Sequence, residues 1–204
     1  MTLWCATSNP GKLREFRLAA QGQVDIVVLP GLQAIPPVEE TGATFEANAI
    51  QKALYYSAHA PGMLFADDSG LEVDALDGAP GVRSARFAGP EATDEANNRL
   101  LLARLRGVAD RTARFVCLIA LAEKGRLLGT FRGAVEGRII DAPRGDNGFG
   151  YDPLFFYPPF GSTFGEAHPE RKFSVSHRGQ ALRAMLEWLR LHRGDAEDAA
   201  KSPA

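Results

Sequence analysis

Residues 111–140, RTARFVCLIALAEKGRLLGTFRGAVEGRII, place two β-rich runs on either side of Glu123-Lys124-Gly125. Such a pair reads as an antiparallel hairpin, and it restricts the fold more than any other stretch. Upstream the pattern is different. A short strand over Leu3, Trp4 and Cys5 is followed by a helix from Pro10, capped by Ser8 or Asn9 and carrying Leu13, Phe16 and Ala20 at helical spacing, then by a strand from Val24 to Leu29. Strands that alternate with helices pair in parallel, so the two halves together predict a mixed α/β sheet, long and twisted, flanked by helices.

The remaining elements follow from local signals. A helix is expected from near Thr44, with Phe45, Ala49, Ala53 and Tyr56 as its apolar stripe and Asn48 and Lys52 four apart on a neighbouring face. MLFADDSG reads as a buried strand whose end carries two acids. TDEANNRLLLARLRG, from Thr93 to Gly107, has a cap, early acids, late basic residues and a terminal glycine, which together mark a helix. DPLFFYP is a further short strand, and Ser176 caps a last helix with Leu182, Met185, Leu186 and Leu189 inward. From Gly194 the apolar periodicity ends, so one unit over 1–193 and a loose tail over 194–204 are expected.

Composition narrows the class of function. With 204 residues, 45% of them hydrophobic, the chain can bury a substantial core. Its net charge of −2 gives no bulk attraction to nucleic acid or to an acidic membrane. Any phosphate must therefore meet a local cluster. No signal-peptide pattern and no long apolar span are present, which implies a soluble cytoplasmic protein. Cys5 and Cys117 lie in apolar runs without a metal-ligand spacing and are expected as buried free thiols.

Four stretches carry residues suited to chemistry. At ATSNPGKLREF, helix-start N–H groups, Gly11 and Lys12 suit an anion, although a capped helix with a solvated lysine explains the same residues. Ala6 and Leu13 stand where the Walker A pattern needs glycine and Ser/Thr, so this is not that loop. In ADDSG, adjacent acids on a buried strand point opposite ways, so one of Asp67 and Asp68 is expected to face a metal or a water, with Glu39-Glu40 as further carboxylates. A turn capped by Asp67 and Asp68 explains the same acids equally well, and a solvated acidic pair is the plainer account of Glu39-Glu40. In GFGYDP, glycines admit a flat ligand that Phe149 and Tyr151 would stack on, or the aromatics merely pack. In KFSVSHRGQALR, Lys172, His177 and Arg178 set cations before and at a helix start, where its dipole opposes them, although a surface residue or a cap is the plainer account of the histidine.

Together these stretches supply a polyphosphate cradle, hard carboxylates, stacking rings and donors for a base edge. The segments TSNPGKLREF, EETGATFEANAIQKA, ADDSGLEVDALDGAPGVRSARFAG, GFGYDPLFF and EAHPERKFSVSHRGQALR also resemble, in that order, the motifs of the inosine/xanthosine triphosphate pyrophosphatase family, known too as Ham1-like, from residue 3 to about 190. Arg83 departs from the aromatic or aliphatic residue of that pattern. The resemblance implies an elongated mixed sheet with a central cleft, a homodimer, and Mg²⁺-assisted hydrolysis of ITP, dITP and XTP to monophosphate and pyrophosphate. It implies that Thr7, Ser8, Asn9, Pro10, Gly11 and Lys12 hold the triphosphate and that Glu40 and Asp68 hold Mg²⁺, with Asp68 also the base. Ser69 would contact substrate, and Phe149, Gly150, Tyr151, Asp152, Lys172, His177 and Arg178 would bind the nucleoside, with Asn48 and Lys52 as secondary phosphate contacts. The rivals are a Maf-like pyrophosphatase for other modified nucleotides and a non-catalytic purine-nucleotide sensor.

Overall fold

The computed structural model describes residues 1–199. Its centre is the hairpin, β4 (Thr112–Glu123) and β5 (Arg126–Ile139), which pair antiparallel around the Lys124-Gly125 turn. β1 (Thr2–Cys5), β2 (Asp25–Val28) and β3 (Leu64–Val73) lie on one side, β6 (Phe155–Tyr157) and β7 (Ser162–Thr163) on the other. The seven-stranded order is β2-β1-β3-β4-β5-β6-β7, with β1 parallel to both β2 and β3 and every other pairing antiparallel. The expected mixed sheet is therefore present. β3 is longer than expected: it runs on through Ser69-Gly70 to Val73, so the two acids sit mid-strand rather than at its end. The ladder to β4, which pairs Asp67 with Ile119 and Asp68 with Leu118, carries it past them.

β4 is a near-continuous apolar run because both of its faces are covered. Cys117, Ile119 and Leu121 pack with Phe16 of α1 (Pro10–Ala20) and with Leu182 and Met185 of α5 (His177–Ala199). Val116, Leu118, Ala120 and Ala122 point the other way, against Phe45, Ala49 and Ala53 of α2 (Phe45–Ser57). Small residues on both surfaces let α2 lie close to the sheet. Truncating Ile119 to alanine would destabilise the fold by about 2–5 kcal/mol. α5 approaches more closely still, because Gly133 of β5 has no side chain; a Cβ there would stand 2.7 Å from the Ala181 backbone nitrogen. That contact sets the start of α5, and with it Arg178, against the sheet.

Local capping agrees with the sequence. Asn9 accepts the Lys12 N–H at 3.0 Å, Thr44 the Ala47 N–H at 3.1 Å, and Ser176 the Gly179 N–H at 3.1 Å. α3 (Asp94–Arg104) is capped by Thr93. A short helix, α4 (Pro169–Val175), escaped the periodicity because two turns are too few to show a stripe. α5 continues through Ala199, beyond the expected tail boundary at Gly194. Alanine and glutamate there are good helix formers, so a helix already anchored upstream propagates. The rest of the expected tail, 200–204, lies outside the described residues. Cys5 and Cys117 are buried and free. Among the described residues no helix is long and apolar enough to cross a membrane.

Candidate active site

The site owes its position to the sheet. β1 ends at Cys5, and its last link to β3 is the Ala6 N–H bonded to the Phe65 carbonyl at 3.0 Å. Beyond that point β3 keeps β4 on one edge and leaves the other edge open until the Leu71 N–H meets Ser84 Oγ at 2.9 Å. A cleft of about 210 Å³ fills the gap, lined by Asp68 and Ser69 together with residues from several other parts of the chain, among them Lys12, Lys52, Phe149 and Arg178. Because β1 and β3 are parallel, this is the carboxyl end of β1, where open α/β sheets bind ligands.

One end of the cleft is built from two lysines on opposite faces of the sheet. Asp67 and Asp68 do point opposite ways. Asp67 accepts Lys12 Nζ at 2.9 Å and Ser69 Oγ at 3.0 Å from the α1 side. Asp68 accepts Asn48 Nδ2 at 3.0 Å and faces Lys52 Nζ at 3.4 Å from the α2 side. Lys52 also donates to Glu40 Oε1 at 3.1 Å, so one ammonium bridges two carboxylates. Burial pushes the Asp68 carboxyl above its ordinary range against the pull of Lys52 and Asn48. Asp67 is buried too, but Lys12, Arg178 and Lys52 outweigh that and hold it low. Asn9 lines the cleft with Lys12, whereas Thr7, Ser8 and Pro10 line an adjoining hollow of about 360 Å³ beside Leu13 and Leu32.

The other end is a buried charge network. Arg178 donates Nη1 to Glu15 at 2.8 Å and Nη2 to Ser69 Oγ at 3.0 Å, while its Nε is buried without a partner. Lys172, on α4, donates to Glu15 at 2.7 Å and to Asp152 at 2.5 Å. Burial raises the Asp152 carboxyl; Glu15, equally enclosed, is held low because Arg178 and Lys172 both face it. The Phe149 ring lies over Arg178 Cζ at 5.0 Å and divides the cleft from a smaller hollow of about 80 Å³ lined by Gly11 and Lys172. The Gly150 peptide is held at both ends: its N–H donates to Asp94 at 2.6 Å and its carbonyl accepts Asn98 Nδ2 at 3.0 Å. Tyr151 donates its hydroxyl to the Ser84 carbonyl at 2.8 Å.

A profile of the Ham1 family matches residues 3–188. The chain belongs to the Ham1 family. It is 52% identical over 187 residues to a dITP/XTP pyrophosphatase of Exiguobacterium sp., covering 91% of this chain and 95% of that protein. It is 50% identical over 199 residues to a dITP/XTP pyrophosphatase of Acidobacterium capsulatum, covering 93% and 98%. The structure of the Staphylococcus aureus Ham1 protein matches it with a TM-score of 0.84 at 38% identity, over 94% of this chain and 100% of that one. The structure of a HAM1 protein from Coxiella burnetii matches with a TM-score of 0.83 at 39% identity, over 93% and 98%.

Within this Ham1 fold, two expected nucleoside contacts stand outside the cleft wall: Lys172, which lines the smaller hollow beside Phe149, and His177. His177 does not reach the cleft wall: its ring is buried and stacked on Phe115 at 4.9 Å, with both nitrogens unpartnered. Burial, reinforced by Arg178 and Lys172, drives its pKa well below 6.5 and keeps the ring neutral. Phe115 itself lines the cleft, so His177 supports the wall from behind. Glu15, Asp94 and Asn98 were missed in sequence. Glu15 left one trace, an acid beside Phe16 on the inward side of an amphipathic helix.

Among the described residues no group of three or more His, Cys, Asp or Glu is placed to hold a metal. Glu40 and Asp68 nonetheless converge on one cation, the Lys52 ammonium. Two carboxylates fit Mg²⁺, which takes one or two protein carboxylates and completes its shell with water and substrate phosphates.

Proposed function

We propose that this chain hydrolyses ITP, dITP and XTP to the nucleoside monophosphate and pyrophosphate, clearing them from the nucleotide pool, by attack of water on the α-phosphorus. The observation that carries this reading is the convergence of Lys12, Asp68 and Arg178 on one cleft. Two relatives about half identical to the chain, both dITP/XTP pyrophosphatases, support it.

Each residue has a task that follows from its surroundings. Asp68, made more basic by burial, accepts the proton of the attacking water. Asn48 and Lys52 fix that carboxylate from the α2 side. Lys12 offsets charge gathering on the departing pyrophosphate, and the Thr7–Gly11 turn presents helix-start N–H groups to the triphosphate. Mg²⁺ held by Glu40 and Asp68 would neutralise phosphate oxygens and acidify water at the same place. At the nucleoside end, Phe149 stacks on the base, with the Gly150 peptide setting its loop and Tyr151 anchoring it to Ser84. Arg178 donates to the 6-keto oxygen of hypoxanthine or xanthine, and adenine, with an amino group there, leaves that donor unpaired. Lys172 and Asp152 hold this end rigid, and Ser69 hands Arg178 to the phosphate side. The active form is a homodimer.

The test is pyrophosphate release by the purified chain from ITP, dITP, XTP and GTP with Mg²⁺. Release from the first three in clear excess over GTP is expected. Release only from GTP or a modified pyrimidine triphosphate would favour a Maf-like enzyme, and tight binding without release a sensor.

A further inference from the structure

The cations of the cleft are nearly all neutralised within the protein. Lys12 is paired with Asp67, Lys52 with Glu40 and Asp68, and Arg178 with Glu15. Arg86 lines the same cleft. Among the described residues no carboxylate pairs with it, and its side chain makes no hydrogen bond. A planar guanidinium with its donors unspent is well matched to phosphate oxygens.

The backbone that carries Arg86 is fixed on several sides. It ends a 3-10 turn over Gly81–Arg86 that packs on β3. Within that turn Ser84 Oγ accepts the Leu71 N–H at 2.9 Å and donates to the Gly81 carbonyl at 2.6 Å, an approach open only because Gly70 has no side chain. Asn97 Nδ2 donates to the Ala85 carbonyl at 3.1 Å and its Oδ1 accepts the Ala88 N–H at 2.8 Å. Tyr151 takes the Ser84 carbonyl. Arg86 thus stands on the wall that anchors the nucleoside loop, in the cleft that Lys12 also lines. Arg83 of the same turn is exposed and lines no part of the cleft.

Resting on the functional reading above, we propose that Arg86 binds the phosphate adjoining the nucleoside, the one the monophosphate product keeps. The test is product inhibition in R86A, R86K and R86Q. In R86A, inhibition by IMP should weaken by at least about tenfold while inhibition by pyrophosphate stays within about twofold, and kcat/KM for ITP should fall by about 100-fold. R86K should recover part of the loss, since it restores charge without the fork. Should R86A prove unfolded by circular dichroism, R86Q gives the same reading. IMP inhibition unchanged, or IMP and pyrophosphate weakened alike, overturns the proposal, as does a loss confined to thermal stability. Wild type that releases no pyrophosphate from ITP or XTP defeats the functional reading instead, whereas normal turnover by R86A defeats this inference alone.

Discussion

The two ends of the cleft are both made of ion pairs, yet they differ in what surrounds them. At the Lys52 end the Glu40 side chain is 27% exposed, and at the Lys172 end Glu15 is 5% exposed. A pair in contact with water exchanges partners at little cost, because solvent stabilises each charge while it moves. A buried pair has no such relief: removing one member leaves the other stranded. On the proposed function, the Lys52 end suits an exchange of protein carboxylates for phosphate and metal, and the Glu15 end suits a donor held rigidly against a base.

Asp68→Asn should have the largest effect, lowering turnover by about 10³-fold with the fold retained. Pyrophosphate release within about tenfold of wild type would remove Asp68 as the base. Glu15→Gln attacks the rigid end and should lower unfolding stability by about 3–5 kcal/mol in urea, since Arg178 and Lys172 lose a shared carboxylate. A loss below about 1 kcal/mol would erase the contrast between the two ends. Lys12→Ala should reduce kcat/KM by about 10–100-fold, the worth of a charged hydrogen bond. Unchanged kinetics would show that the Lys12–Asp67 pair does not open to substrate.

The smallest effect concerns pH. The folded-state pKa of His177 lies below its ordinary 6.5, so its contribution to stability is complete above 6.5 and is lost as pH falls beneath it. The loss should reach about 1.4 kcal/mol per pH unit until the ring protonates in the fold. Glu15, also depressed, adds a second window below its ordinary 4.5. His177→Leu should flatten the upper window in melting temperature measured between pH 7 and 5, and an unaltered slope would mean that the ring is reached by water.

Much of this was legible in sequence because it is local. Asn9-Pro10, Thr44 and Ser176 announce helix starts through bonds that span three residues. The stripe Phe45, Ala49, Ala53 and Tyr56 is buried as its spacing requires. Asp67 and Asp68 take opposite faces because a strand leaves them no alternative. Glu15 was not legible in the same way: its bonds to Lys172 and Arg178 span 157 and 163 residues. Nor was the clamp on Gly150: Asp94 read in sequence only as an acid of a helix's first turn, and Asn98 carried no signal.

By itself the amino-acid order determined the longer helices, the central hairpin, the mixed sheet and the set of charged residues that any site would draw on. Periodicity and capping act over a few residues and survive without the rest of the molecule. Only the tertiary structure decided which carboxylate meets which cation, that His177 turns inward, and that Arg86 has no partner among the described residues. Those outcomes depend on where β1 stops and how closely α5 seats on Gly133. Such distances are set by packing across the whole sheet.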